Sequence, residues 1–402
     1  MLLLLALLPG AASASGLCDS MRGRLLSGGG GASGLLVVDA ETGKTVCAWA
    51  AGTQRPLASN MKLFTTSTAL TRFGPEYRIA TELLGDGHVD GHGVLHGSLY
   101  LRGGGDPALG EPAFYDRFLG GVGTDVFDLG EQLHADGIRA VTGRLYADDS
   151  VFDRLRGVAD SGYATSPYIG PLSGLDFDSG YSDASASGFS SEPAKEAAAT
   201  LAASLRSSGI SIHGAVARAT TPAGARTLAT VRSPTMAKLV QTTDVYSDNF
   251  FAEMLIKLLG AHFGGAGTTA AGAGVVERFA RAEGTGVHAV DGSGLTRSNL
   301  ASPRQVVRLL LAMRAAPIGE QFIADLALTG HTGTVADRTQ GTAAYGRCRT
   351  KTGTLTGVSN LSGFCFNRDG KTMAFSILMG SVGDLTLAHY EQDLIAGAVA
   401  SY

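Results

Sequence analysis

Strand-like runs lie at both ends of this chain, and they restrict its fold more than any other feature. Leu35-Leu-Val-Val-Asp39 and Thr45-Val-Cys-Ala-Trp49 flank the turn Glu41-Thr-Gly-Lys44, the pattern of a β-hairpin. Residues 348–355, 359–366 and 372–379 are three further β-prone runs, the last two joined by Asn367-Arg-Asp-Gly370. Five strands drawn from opposite ends make one antiparallel sheet. Everything between them must then be layered on that sheet or inserted away from it. The final segment, 385–399, has helical apolar spacing and can cover one face.

The composition shifts between the two ends. Residues 77–190 are rich in Gly, Asp and Ser, with short β-like runs at Leu99-Tyr-Leu101 and Leu145-Tyr-Ala147 and one helical pattern at 126–135. From Pro193 helical spacing returns, at 194–207, 234–241 and 249–263, where Phe251, Met254, Leu255, Leu258 and Leu259 share one face. The expected class is therefore α/β (α+β). Residues 15–77 and 191–402 would form a discontinuous domain around a five-stranded antiparallel sheet flanked by helices, and 78–190 an inserted β-rich domain.

The balance of 32 Lys+Arg against 36 Asp+Glu leaves a net charge of −4, which argues against a nucleic-acid partner. With 44% hydrophobic and 17% charged residues, the chain has the composition of a folded globular protein. Its 57 glycines show no Gly-X-Y period, so they belong in turns and close approaches. Residues 1–14 hold an apolar run, Leu2 to Leu8, then Pro9-Gly10 and Ala12-Ser13-Ala14. That order matches an export leader with a small-residue cleavage site. No later run reaches the 18 apolar residues of a spanning helix, so an exported, extracytoplasmic protein is expected.

Four cysteines suit that compartment, and they allow three pairings. If residues 347–367 form a hairpin turning at Thr356-Gly357, Cys348 and Cys365 face each other across it, leaving Cys18 with Cys47. The Gly-rich stretch 87–97 carries His88, His92 and His96. Its setting is that of a turn between strands, which gives no shared helix face for ligands, so no metal and no cofactor is expected.

Three short segments carry chemistry. Ser59 and Lys62 open a helical pattern that ends at Gly74-Pro75. At i and i+3 they share a face, so an amine can reach a hydroxyl where the helix N-terminus favours an oxyanion. An N-cap serine followed by a solvated lysine is the plainer alternative. Ser247-Asp248-Asn249 precedes the apolar helix and reads either as a cap or as a hydroxyl and a carboxamide held on a rigid element. Lys351-Thr352-Gly353-Thr354 lies on an expected strand, where a glycine costs stability and needs a reason. One reason is a substrate backbone running along that edge, with a cation and hydroxyls to hold a carboxylate. Two of the chain's seven lysines fall in these segments. Ser-x-x-Lys, Ser-Asp-Asn and Lys-Thr-Gly in this order form the motif set of serine acylases.

On these motifs, on Leu99-Tyr-Leu-Arg-Gly-Gly-Gly-Asp-Pro107, Asp291-Gly-Ser-Gly-Leu-Thr-Arg297 and Gly333-Thr334, and on the insertion between Ser59 and Ser247, the chain resembles the low-molecular-mass class C penicillin-binding proteins. These are the D-alanyl-D-alanine carboxypeptidases and endopeptidases. The resemblance implies a serine β-lactamase/DD-peptidase-like fold, peptidoglycan stem peptides as substrate and β-lactams as inhibitors. It implies Ser59 as nucleophile, Lys62 as base, Ser247 as proton relay and Asn249 as holder of the substrate amide. Lys351, Thr352 and Thr354 would bind the terminal carboxylate, with Gly353 between them as part of the substrate-binding strand. A serine β-lactamase or related esterase shares the motifs, although no Glu-x-x-Leu-Asn stands between Ser59 and Ser247 to activate water. An inert wall-binding scaffold is the alternative from another class.

Overall fold

The computed structural model describes residues 14–402. The expected leader, 1–14, lies outside the described residues except for Ala14, which begins the helix Ala14–Gly29. The principal sheet runs in the order Ala327–Leu328, Cys348–Leu355, Val358–Phe366, Thr372–Gly380, Gly34–Asp39, Thr45–Trp49, and every neighbouring pair is antiparallel. The five expected strands are present. A sixth, Ala327–Leu328, extends the sheet by two residues and is too short for periodicity to reveal.

Period-two alternation serves both faces of this sheet. Leu35 and Val37 join Leu361, Phe375 and Ile377 in a core covered by Met21 and Leu25 of the first helix and Ile395 and Val399 of the last helix, Leu385–Ser401. Leu36 and Val38 point the other way, into a core with Phe64, Leu258, Val307 and Leu310. Leu355 pairs with Val358, so Thr356-Gly357 is a two-residue turn, and Gly357 adopts the positive φ of 73° that such turns favour. Cys348 consequently sits opposite Cys365. The disulfides are Cys348–Cys365 and Cys18–Cys47, as the hairpin expectation requires.

A second core surrounds a mixed five-stranded sheet ordered Ala217–Arg218, Leu145–Asp148, Leu99–Arg102, Ala80–Gly85, Arg226–Arg232. Here the expected boundary at residue 190 needs correction. Ala194, Ala197, Leu201 and Leu205, on the helix Pro193–Ser207, are buried with Leu83, Leu99, Leu101 and Leu145 of this second sheet. Strand Arg226–Arg232 pairs with Ala80–Gly85. We therefore place the end of the inserted unit near residue 232. An amphipathic helix carries the same apolar stripe whichever sheet it covers, so spacing alone could not assign it.

Leu201 is fully buried, and Leu201→Ala is expected to destabilise the second unit by about 2–5 kcal/mol. Hydrogen exchange would show the loss as earlier opening of Leu99–Arg102, with Val358–Phe366 still protected.

Candidate active site

The Ser59 turn is held against the principal sheet by two buried asparagines. Asn60 Nδ2 donates to the Lys351 carbonyl at 3.1 Å. Asn360 Nδ2 donates to the carbonyls of Pro56 and Leu57 at 3.0 and 2.8 Å. Ser59 lies in a short 3-10 turn, Ala58–Asn60, immediately before the helix Met61–Phe73. Ala58 is forced to φ 46°, a left-handed conformation that costs an alanine energy and is tolerated where the surroundings over-determine it. One such constraint is Gly294, at φ 87°, where an added Cβ would lie 1.8 Å from the Ala58 carbonyl oxygen.

One helical turn on, Lys62 is completely buried. Its Nζ donates to Ser59 Oγ at 3.1 Å, Asn249 Oδ1 at 2.7 Å and the Ser293 carbonyl at 2.7 Å, using all three ammonium hydrogens. Burial lowers Lys62 to about 8, against the opposing pull of Asp248, Glu253, Asp291 and Asp244. The Ser293 carbonyl is aimed by Glu253, whose Oε1 accepts from the backbone N–H groups of Gly292 and Ser293 at 3.0 and 2.7 Å.

Asp248 caps the apolar helix Asn249–Phe263 by accepting from Phe251 N at 2.9 Å. This leaves Ser247 and Asn249 free to face the cleft. Ser247 takes a left-handed φ of 59°. Asn249 is oriented from both ends, since Oδ1 accepts from Lys62 and Nδ2 donates to the Tyr168 carbonyl at 3.0 Å. One amide hydrogen remains.

Lys351 reaches the same place from strand Cys348–Leu355. Its buried Nζ donates to Ser247 Oγ at 2.8 Å and to the Thr352 carbonyl at 3.0 Å. Burial, and then the charge of Lys62, lower it to about 7, with Asp244 opposing. Thr352 and Thr354 line the cleft, and the Thr352 hydroxyl shares a 2.8 Å hydrogen bond with Thr334. Gly353 has a reason within the fold itself. A Cβ there would come within 2.9 Å of the Leu57 carbonyl oxygen and 3.0 Å of Asn60 N, so the glycine admits the Ser59 turn. Ala327–Leu328 pairs only with Arg349 and Thr350, so no described strand flanks residues 351–355 on that edge.

The three segments thus converge on a cleft of about 840 Å³. Its opposite wall, including Val158, Asp160, Ser166 and Tyr168, comes from the inserted unit and carries no periodic pattern that could have revealed it. The Ser293 carbonyl was equally hidden, because a backbone acceptor has no side-chain signature. Of the three histidines at 88–96, His96 pairs with Asp90 at 2.9 Å on a hairpin that does not line this cleft.

The sequence model of the D-Ala-D-Ala carboxypeptidase 3 (S13) family matches residues 26–189 and 182–398. The chain belongs to this family. It is 32% identical to a D-alanyl-D-alanine carboxypeptidase of Actinomadura sp. strain R39, over 93% of this chain and 82% of that protein. It is 27% identical to the carboxypeptidase DacB of Mycolicibacterium smegmatis, over 86% and 76%. Its fold is similar to that of penicillin binding protein 4 from Haemophilus influenzae, with a TM-score of 0.78 at 20% identity, covering 98% of this chain and 100% of that one. That protein has also been solved in complex with a β-lactam.

Gly294→Ala is expected to cost at least about 1–3 kcal/mol, the scale of a non-glycine residue forced into left-handed backbone. Thermal unfolding measures this loss directly. A Gly284→Ala control, also at positive φ but with open space around it, separates backbone strain from the collision with Ala58.

Proposed function

We propose that this S13 chain is a serine D-alanyl-D-alanine carboxypeptidase, able also to act as an endopeptidase, working on peptidoglycan stem peptides outside the cytoplasm. The observation that carries the reading is the 3.1 Å contact between a buried, desolvated amine and Ser59 Oγ. A buried ammonium is disfavoured, and its neutral form can take the hydroxyl proton. The Ser59 oxygen then bonds to the scissile carbonyl carbon, and a tetrahedral oxyanion forms. Backbone N–H groups of Ser59 and Thr354 would hold that oxyanion, each worth about 3 kcal/mol in comparable sites.

The carbon–nitrogen bond then breaks, and Ser247 relays a proton to the departing D-alanine amine. Water hydrolyses the ester and restores Ser59. Asn249 would use its remaining amide hydrogen on the substrate carbonyl. The unflanked edge of strand Cys348–Leu355 suits an extended peptide laid beside it, with Lys351, Thr352 and Thr354 at its terminal carboxylate. Two disulfides fit an exported protein, and among the described residues no helix is long and apolar enough to cross a membrane. β-Lactam recognition by the structurally similar Haemophilus protein supports β-lactams as acylating inhibitors here.

Fluorescent penicillin should label wild-type protein and fail to label Ser59→Ala, while mass analysis of defined muropeptides should show loss of one D-alanine. Fast penicillin hydrolysis with intact D-Ala-D-Ala peptides would instead make the chain a β-lactamase. Lys62→Met should slow acylation by about 10²–10⁴-fold, the usual contribution of a positioned base.

The pH dependence follows from the same pair. Acylation requires one proton to leave the two lysines, whose values lie at about 8 and about 7. The rate should therefore fall as pH drops through that interval, which stopped-flow labelling across pH would register.

A further inference from the structure

The cleft continues past the residues to which the mechanism above gives a task. Side chains on strand Cys348–Leu355 alternate between faces, so Thr352 and Thr354 point to the same side as Cys348, whose core lies under the last helix, Leu385–Ser401. On that side the cleft is lined by Thr334, Arg338 and His389. Thr334 joins this wall to the strand through the 2.8 Å bond between its hydroxyl and that of Thr352. From there the chain turns tightly. Ala336 N donates to the Gly333 carbonyl and Arg338 N to the Val335 carbonyl, each at 3.2 Å, which sets Arg338 one turn beyond Thr334.

Arg338 is fixed along one edge of its guanidinium. Its Nε donates to Asp393 Oδ1 at 3.0 Å, and its Nη2 donates to the same oxygen at 2.7 Å, to Gln392 Oε1 at 3.1 Å and to the His389 carbonyl at 2.9 Å. The second Asp393 oxygen accepts from Thr339 N at 3.0 Å. Nη1, with two hydrogens, has no acceptor among the described residues and is not sealed from solvent. The side chain as a whole is only 11% exposed. A guanidinium held in this way has already lost its rotamer freedom, so a ligand that meets its open nitrogen costs little further ordering.

No other fixed cation meets the cleft. Lys62 and Lys351 are buried behind it, and among the described residues that line it Arg338 is the one Lys or Arg. Burial and the Arg338 charge hold His389 below the usual imidazole range, with Asp393 opposing.

The two reactions proposed above differ on this side of the scissile bond. When a single stem loses its last residue, the departing amine is D-alanine, whose one carboxylate is met at Thr352 and Thr354. When a cross-link is cut, the departing amine belongs to a second stem peptide. That peptide carries further carboxylates and must continue past Thr352 along the wall that Thr334 begins.

We propose that Arg338 is a specificity-determining residue whose open Nη1 binds a second carboxylate on the leaving side, carried by the neighbouring stem peptide of a cross-link. This rests on the acyl-enzyme reading and deepens it by naming the substrate that the far end of the cleft suits. The covalent step is unchanged. The amide carbon–nitrogen bond of the cross-link breaks, the carbonyl carbon stays bonded to the Ser59 oxygen, and Ser247 delivers the proton to the departing side-chain amine.

The test compares two defined substrates, a single stem ending in D-Ala-D-Ala and a dimer in which D-alanine is bonded to the side-chain amine of a second stem. Arg338→Gln should lower kcat/KM for the dimer about tenfold more than for the single stem, the scale of one charge-assisted hydrogen bond, with the extra loss in KM. Equal losses on the two substrates, or no loss on either, overturn the proposal.

If Arg338→Gln does not fold, the wild-type chain carries the test. Two dimers are compared that differ only in whether the leaving stem's carboxylates, other than the one beside the scissile nitrogen, are free or converted to carboxamides. The free form should have about tenfold higher kcat/KM, and equal values overturn the proposal. A chain that takes no penicillin on Ser59 and cuts neither substrate refutes the acyl-enzyme reading and the Arg338 subsite with it. Release of D-alanine with dimers left intact refutes the subsite alone.

Discussion

Two primary amines removed from water set the terms for everything around them. Holding Lys62 and Lys351 in the interior is costly unless each hydrogen finds an acceptor. Lys62 meets that requirement with a hydroxyl, a carboxamide oxygen and a main-chain carbonyl. Lys351 meets part of it with Ser247 and its own neighbour's carbonyl. These acceptors come from segments as far apart in the chain as Ser59 and Thr352. The chain must therefore be completely folded before either amine is tolerable inside it, and in the proposed mechanism the same desolvation supplies the base.

The scaffold achieves this by making backbone, more than side chains, the reference frame. Asn60 and Asn360 tie the Ser59 turn to the strands Cys348–Leu355 and Val358–Phe366. Gly353 and Gly294 open the room in which that turn sits. Left-handed residues at Ala58 and Ser247 mark where the chain is bent away from its preferred conformations. Such strain persists because rigid packing on both sides leaves no relaxed alternative.

Much of this was legible in the residues. The hairpins, the helix 249–263 and both disulfides followed from alternation, apolar spacing and the symmetry of Cys348 and Cys365 about a Thr-Gly turn. Ser59, Lys62, Ser247, Asn249 and Lys351 were recognisable as a set, and the structure brings all five together. Other features left no trace. A two-residue strand has no period, and helix Pro193–Ser207 shows the same stripe whether it covers the first sheet or the second. The Ser293 carbonyl, the Tyr168 carbonyl and the wall at Val158–Tyr168 act through main chain or irregular loop, so composition could not single them out. Arg338 was invisible for another reason, since a lone arginine in an irregular segment reads as surface until its partners are known.

The bond from Asn249 to the Tyr168 carbonyl also bears on how this architecture can be divided. The carboxamide that steadies Lys62 is itself steadied by a loop of the inserted unit, and the buried Lys257 of the same helix pairs with Asp153 nearby. The insertion is thus a supporting buttress of the chemical centre as well as an appendage. A trimmed catalytic core, however well it kept its own sheet, would begin with a misaligned amide and a cleft open along one flank.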